Sequence, residues 1–172
     1  MKKIFIIFIL FVFHINFSIA NTNIVFIDME QIINGSKPGL HILKQLKETN
    51  DKITKNFKVI EENLKKKKAK IDSQKKIISE NEFQSNINNL QLEVKKYNGD
   101  RNKIINDFKK LKIDNTNKFL EMINAILVKY SEDNAISIIL QKKSLVIGKN
   151  EHDITDEIII IINKNIDKFK IQ

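Results

Sequence analysis

The chain has 172 residues, with 30 Lys and Arg against 21 Asp and Glu, a formal charge of +9 and no cysteine. That length fits one domain, and the missing cysteines exclude disulfides and thiol chemistry. A basic surplus bears on association with acidic partners rather than on fold, and because Arg101 is the only arginine, AT-rich codon usage competes with selection for charge as its origin.

Met1-Lys2-Lys3 precedes an unbroken apolar run from Ile4 to Phe13, and Ser18-Ile19-Ala20 puts small residues at a cleavage position. This is the layout of an export signal removed after Ala20. Its loss takes Lys2 and Lys3 with it and lowers the formal charge from +9 to +7. The predicted product works outside the cytoplasm. A nucleic-acid partner is not expected there, and the chain lacks the arginines and interleaved aromatics of a nucleic-acid reader.

Asn23 to Asp28 is β-branched and apolar and predicts a strand. Met29 to Ile33 fits one helical turn, with Asp28 as its cap. Asn34 to Gly39 contains Gly35, Pro38 and Gly39 and predicts a loop, after which Pro38 suits the first turn of a long helix. With Leu43 in position a, a heptad runs through Asn50, Phe57, Leu64, Ile71 and Ile78, and its d positions are Leu46, Ile53, Ile60, Lys67, Gln74 and Asn81. A sustained seven-residue repeat specifies a coiled coil.

A second repeat starts at Phe83 and continues through Ile87, Leu90, Val94, Tyr97, Arg101, Ile104, Phe108 and Leu111. Ser79 with Glu82 reads as a capping box between the two repeats. The simplest geometry is an antiparallel hairpin folded near Glu80 and Asn81. It sets Phe57 against Ile104, Leu64 against Tyr97, Ile53 against Phe108, Ile71 against Leu90 and Ile78 against Phe83, while Leu43, Leu46 and Ile60 meet Lys118, Asn115 and Arg101. Each arm spans about 55 Å at roughly 1.5 Å per residue. Gly99, inside the second arm, is either a tolerated surface residue or a hinge.

The arms are rich in lysine. Lys65, Lys66, Lys67 and Lys68 form a run, with Lys70, Lys75, Lys76, Lys95 and Lys96 nearby. These nine are the candidate partner-binding residues, attractive to acidic partners in a salt-sensitive way.

From Phe119 to Tyr130 the apolar face widens, which predicts packing against more than one neighbour. Ser131 to Asn134 ends that helix. Ile136 to Leu140 and Leu145 to Ile147 predict two strands about a Gln141–Ser144 turn, and Asp153 caps a last helix through Ile154, Ile158, Ile161, Ile162, Ile166 and Phe169. The expected fold is mostly α with a small β body. Its parts are an export signal (1–20), the first strand and turn of the body (21–39), a helical-hairpin tentacle with its tip near 79–82 (40–118), and the rest of the body (119–172). Three strands cannot close a barrel, and open edges invite pairing with further copies. The candidate oligomer interface is Val25, Ile27, Phe119, Ile123, Ile126, Ile138, Leu140 and Val146.

The strand IVFID followed by MEQII, NGSKPG ahead of a long Lys-rich helix, and SIILQ and SLVIG followed by DIT at the last helix together resemble the Skp/OmpH family over essentially the whole exported chain. The resemblance implies a homotrimer whose β body carries three hairpin tentacles around a client cavity. It further implies an ATP-independent periplasmic chaperone for unfolded outer-membrane proteins, while the basic surplus by itself points to an anionic membrane surface as a second candidate partner. Enzyme readings find no Cys, no Gly-rich phosphate loop and no metal-ligand spacing, and His41 and His152 read as surface or packing residues, so neither a cofactor nor catalysis is expected. A structural or adaptor coiled coil that binds one folded envelope partner is the alternative.

Overall fold

The structure is a computed structural model that describes residues 22–166 and 169–171. The predicted export signal, 1–20, lies outside the described residues. Strand β1 (Ile24–Ile27) leads into helix α1 (Met29–Gly35), then α2 (Lys37–Gln74) and α3 (Glu80–Asp133), followed by β2 (Ile138–Gln141), two 3-10 turns and α4 (Thr155–Asn165). At roughly 1.5 Å per residue, the 38 residues of α2 and the 54 of α3 extend about 57 and 81 Å.

Polar side chains set the boundaries. Asp28 is the N-cap of α1 and accepts a hydrogen bond from the Gln31 N–H at 3.0 Å. The loop expected from Asn34 to Gly39 shrinks to Ser36 alone. Its N–H donates to the Ile32 carbonyl to close α1, and its hydroxyl accepts from the Gly39 N–H to open α2. The junction is crowded, since a Cβ on Gly39 would stand 2.0 Å from the Ile33 carbonyl oxygen. Ser79 caps α3 by accepting from the Glu82 N–H at 3.2 Å. At the far end of α3, Ala135 adopts φ 49°, the Ile136 N–H reaches back to the Ser131 carbonyl at 2.9 Å, and the chain reverses toward β2. That bonding belongs to a Schellman cap, whose left-handed position usually holds glycine.

The strands pair in parallel, with Ile24 opposite Ile138 and Ile27 opposite Gln141. A parallel pair needs a crossover, and here the crossover is the whole hairpin. Val25 and Ile27 turn inward against Ile32, Ile42, Leu46, Phe119, Ile123, Leu127, Ile158 and Ile162, forming the core of the body. Hydrogen bonds tie α4 to it: the Asp28 N–H donates to the Thr155 hydroxyl, the Ile154 N–H to the Phe26 carbonyl, and the Tyr130 hydroxyl to Glu157.

Three predicted details differ. Leu145 to Ile147 is not a strand, and Val146 and Ile147 are 103% and 91% exposed: after the 3-10 turn at Lys142–Ser144 the chain does not fold back to pair with β2. The last helix ends at Asn165, short of Phe169. Phe169 nonetheless enters the core, its ring 5.9 Å from that of Phe119. Asp153 does not occupy the N-cap of α4, which is Ile154, although its carboxylate accepts from the Thr155 N–H at 3.1 Å.

Candidate functional site

The arms pack along the expected seam with a local slip at the root. Leu46, Phe57, Ile71 and Leu90 are buried and Ile53, Ile60, Leu64 and Phe108 are half-buried. At the root Leu43 is 40% exposed and Ile42 is buried in its place, because α2 there faces α4 as well as α3. In mid-arm the Phe57 ring meets Tyr97, 6.2 Å between centroids at 82°, and Leu64 and Ile104 line the same cleft. The five residues Lys75–Ser79 join the two helices, just ahead of the 79–82 expected for the tip, with the Ile77 and Ile78 N–H groups both donating to the Gln74 carbonyl.

Four side chains form a clasp that the heptad reading missed. The Tyr97 hydroxyl donates to Glu61 Oε1 at 2.5 Å, Arg101 Nε approaches the same oxygen at 3.9 Å, and the Arg101 guanidinium lies 5.3 Å from the centre of the Phe57 ring. Burial, with help from the Glu61 hydrogen bond, pushes the Tyr97 hydroxyl pKa up. One signal was legible: a lone arginine within a lysine-rich chain, standing at a seam position. Its planar fork and weak hydration suit it to stack on a ring while pairing a carboxylate, which a lysine does poorly.

All nine candidate lysines are exposed. Lys67 occupies a seam position and pairs with Glu93 across the hairpin, which explains how the seam tolerates a charge there. Lys68 pairs with Asp72 at 2.6 Å, and the Lys75 ammonium lies 5.5 Å from the centre of the Phe83 ring. Lys65, Lys66, Lys70, Lys76, Lys95 and Lys96 have no carboxylate partner among the described residues. Successive helical residues are turned by about 100°, so the run Lys65–Lys68 presents charge on every side of α2. Exposed ion pairs contribute at most about 1 kcal/mol, which makes this stretch a charged surface more than a stabilising one.

The candidate interface residues divide into two groups. Val25, Ile27, Phe119 and Ile123 are at most 5% exposed and belong to the core of the single chain, so their burial needs no second copy. Ile126 is half-buried against the same core. Ile138 and Leu140 are 44% and 38% exposed on the outer face of the sheet beside Ile24, and Val146 is fully exposed. Among the described residues β2 has no strand on its outer edge, and the far side of β1 carries one isolated bridge, from Phe26 to Asp153.

Among the described residues no group of three His, Cys, Asp or Glu could hold a metal ion, and no helix is long and apolar enough to cross a membrane. A small strand-and-helix body that projects a long, charged hairpin defines an arm-bearing binding protein. The model of the OmpH-like outer membrane protein family matches residues 23–161, and the chain belongs to that family. Among solved structures it resembles an OmpH-like protein of Caulobacter crescentus CB15 described as an outer membrane chaperone, with a TM-score of 0.81 at 12% identity over 88% of this chain and 89% of that one. None of the curated proteins matches the sequence. Family and fold together support a chaperone role.

Proposed function

We propose that the chain is an ATP-independent periplasmic holdase that keeps unfolded outer-membrane proteins soluble between basic helical arms. The observation that carries this reading is the hairpin itself. Two long helices share a thin seam, stand off a small body, and display six candidate lysines, Lys65, Lys66, Lys70, Lys76, Lys95 and Lys96, with no carboxylate partner among the described residues. Client capture without ATP must run on binding energy alone, and many weak contacts with a charged surface supply it reversibly.

The active form is proposed to be a homotrimer. Parallel sheets are almost always covered on both faces, yet Ile24, Ile138 and Leu140 lie on an open face, and the extended segment at Val146 and Ile147 projects into solvent. Copies that exchange these edges would cover them, so the interface draws on Ile138, Leu140 and Val146 rather than on the core residues Val25, Ile27, Phe119 and Ile123.

The test is aggregation suppression, in which several unrelated unfolded outer-membrane β-barrel proteins are diluted from denaturant with and without the exported chain. Suppression for all of them supports the holdase. Failure to suppress any of them, with tight binding to one folded envelope protein, would establish the adaptor reading instead.

A further inference from the structure

A groove lies in the proximal half of the hairpin, below the Glu61–Tyr97–Arg101 clasp and well away from the distal lysine run. Its floor is apolar: Ile53 and Phe57 come from α2, and Ile105 and Phe108 from α3. Asn50 and Thr54 form polar points along one wall. Lys58, Lys109 and Lys112 stand on the rim and are exposed. None of these three has a carboxylate within ion-pair distance among the described residues, whereas the groove's one acidic residue, Glu61, is engaged by Tyr97 and Arg101. The cavity measures about 540 Å³, within the range of roughly 300–1,000 Å³ in which ligands are held.

We propose that this groove is a discrete binding site for an extended peptide segment in which apolar and acidic residues alternate, presented by an unfolded client. The assignment rests on the holdase reading and locates one of its contacts. Alternation is the chemistry that fits. In an extended chain successive side chains point to opposite faces, so apolar residues can enter the floor while the acidic ones turn toward the lysines on the rim. Asn50 and Thr54 offer hydrogen-bonding groups to a peptide backbone. A lipid chain would have no use for them. Charge complementarity gives the site its sign: the rim cations lack partners, so a basic segment would be repelled and an acidic one would pair them.

The chain has no cysteine, so a single introduced one can be labelled selectively. An environment-sensitive fluorophore at Asn50→Cys would report on the groove, and one at Val59→Cys, on an exposed position outside its lining, would serve as control. The probes are a short peptide alternating leucine with glutamate, its leucine–lysine counterpart, and phosphatidylglycerol vesicles. The expected result is a saturable response at position 50 to the leucine–glutamate peptide alone, with none at position 59. The triple variant Lys58→Glu/Lys109→Glu/Lys112→Glu should bind that peptide at least about tenfold more weakly, a loss of roughly 1.4 kcal/mol, with its helical circular dichroism unchanged. An equal response to the lysine peptide, a response to vesicles only, or undiminished binding by the triple variant would overturn the assignment. If the wild type suppresses client aggregation but position 50 stays silent, the groove fails and the holdase stands. If the peptide binds as described and aggregation is not suppressed, the holdase fails.

Discussion

Cutting Phe57 back to alanine should loosen the arms and leave the body intact. The ring is 9% exposed and packs edge-on against Tyr97, with the Arg101 guanidinium over its face. Burying a phenylalanine is worth about 1.5–3 kcal/mol, and an edge-to-face pair adds about 0.5–1.5 kcal/mol. The hairpin has solvent on both sides and can partly collapse, so the loss should fall below the upper end measured in sealed cores, about 5 kcal/mol. A local cost of about 2–4 kcal/mol follows. It should appear as an opening of the arms rather than as global unfolding, because the Ile32, Ile123 and Ile158 core makes no use of Phe57. Amide hydrogen exchange reads this out residue by residue. In the Phe57→Ala variant, amides from Lys58 to Lys67 and from Lys95 to Ile104 should exchange about 30- to 700-fold faster, at tenfold per roughly 1.4 kcal/mol, while those of Ile123 and Ile158 keep their protection. Equal loss in arms and body, or no change in the arms, would refute the reasoning.

Ala135→Gly should stabilise the protein by up to about 1 kcal/mol in chemical denaturation, since alanine at φ 49° carries a left-handed penalty that glycine avoids. Burial acts to raise the Asp153 carboxyl, but hydrogen bonds from Lys142 and Thr155 outweigh it and hold the group below the ordinary carboxylate range. A depressed value means that the stability it confers is present above about pH 4 and is lost as pH falls through the folded value. The melting temperature of Asp153→Asn should therefore lie below that of the wild type at neutral pH, and the gap should close on acidification. Helix α3 passes Gly99 without a break, and a Cβ there would meet nothing within 4 Å. Gly99→Ala should thus raise arm stability by about 1 kcal/mol, and if Gly99 is a hinge, small-angle scattering will show the wild type contracting with salt more than the variant as the lysines are screened.

Local chemistry was legible wherever one side chain decides. The caps at Asp28 and Ser79, the hairpin of α2 and α3 and the widening face from Phe119 all follow from short-range rules, and the structure contains them. What the sequence concealed depends on distant partners. Leu43 and Ile42 are adjacent, and only the direction of α4 decides which of them is buried. Leu145 to Ile147 has the composition of a strand but pairs with none among the described residues. Parallel pairing of Ile24 with Ile138 joins segments more than a hundred residues apart, beyond any periodicity. The clasp at Glu61, Tyr97 and Arg101 escaped because a heptad grid assigns positions to a seam and says nothing of the hydrogen bonds between them.

The central claim is that the arms hold the client. Replacing Lys65 to Lys96 with a short Asn-Gly turn removes the distal hairpin and all nine candidate lysines while leaving the core of the body untouched. Light scattering of an unfolded outer-membrane β-barrel protein, diluted into equal amounts of full-length or shortened protein, measures the consequence. The account predicts that the shortened protein remains folded and assembles as the full-length one does, yet leaves the client to aggregate as it does in buffer. Protection by the shortened protein equal to that of the full-length chain would contradict it.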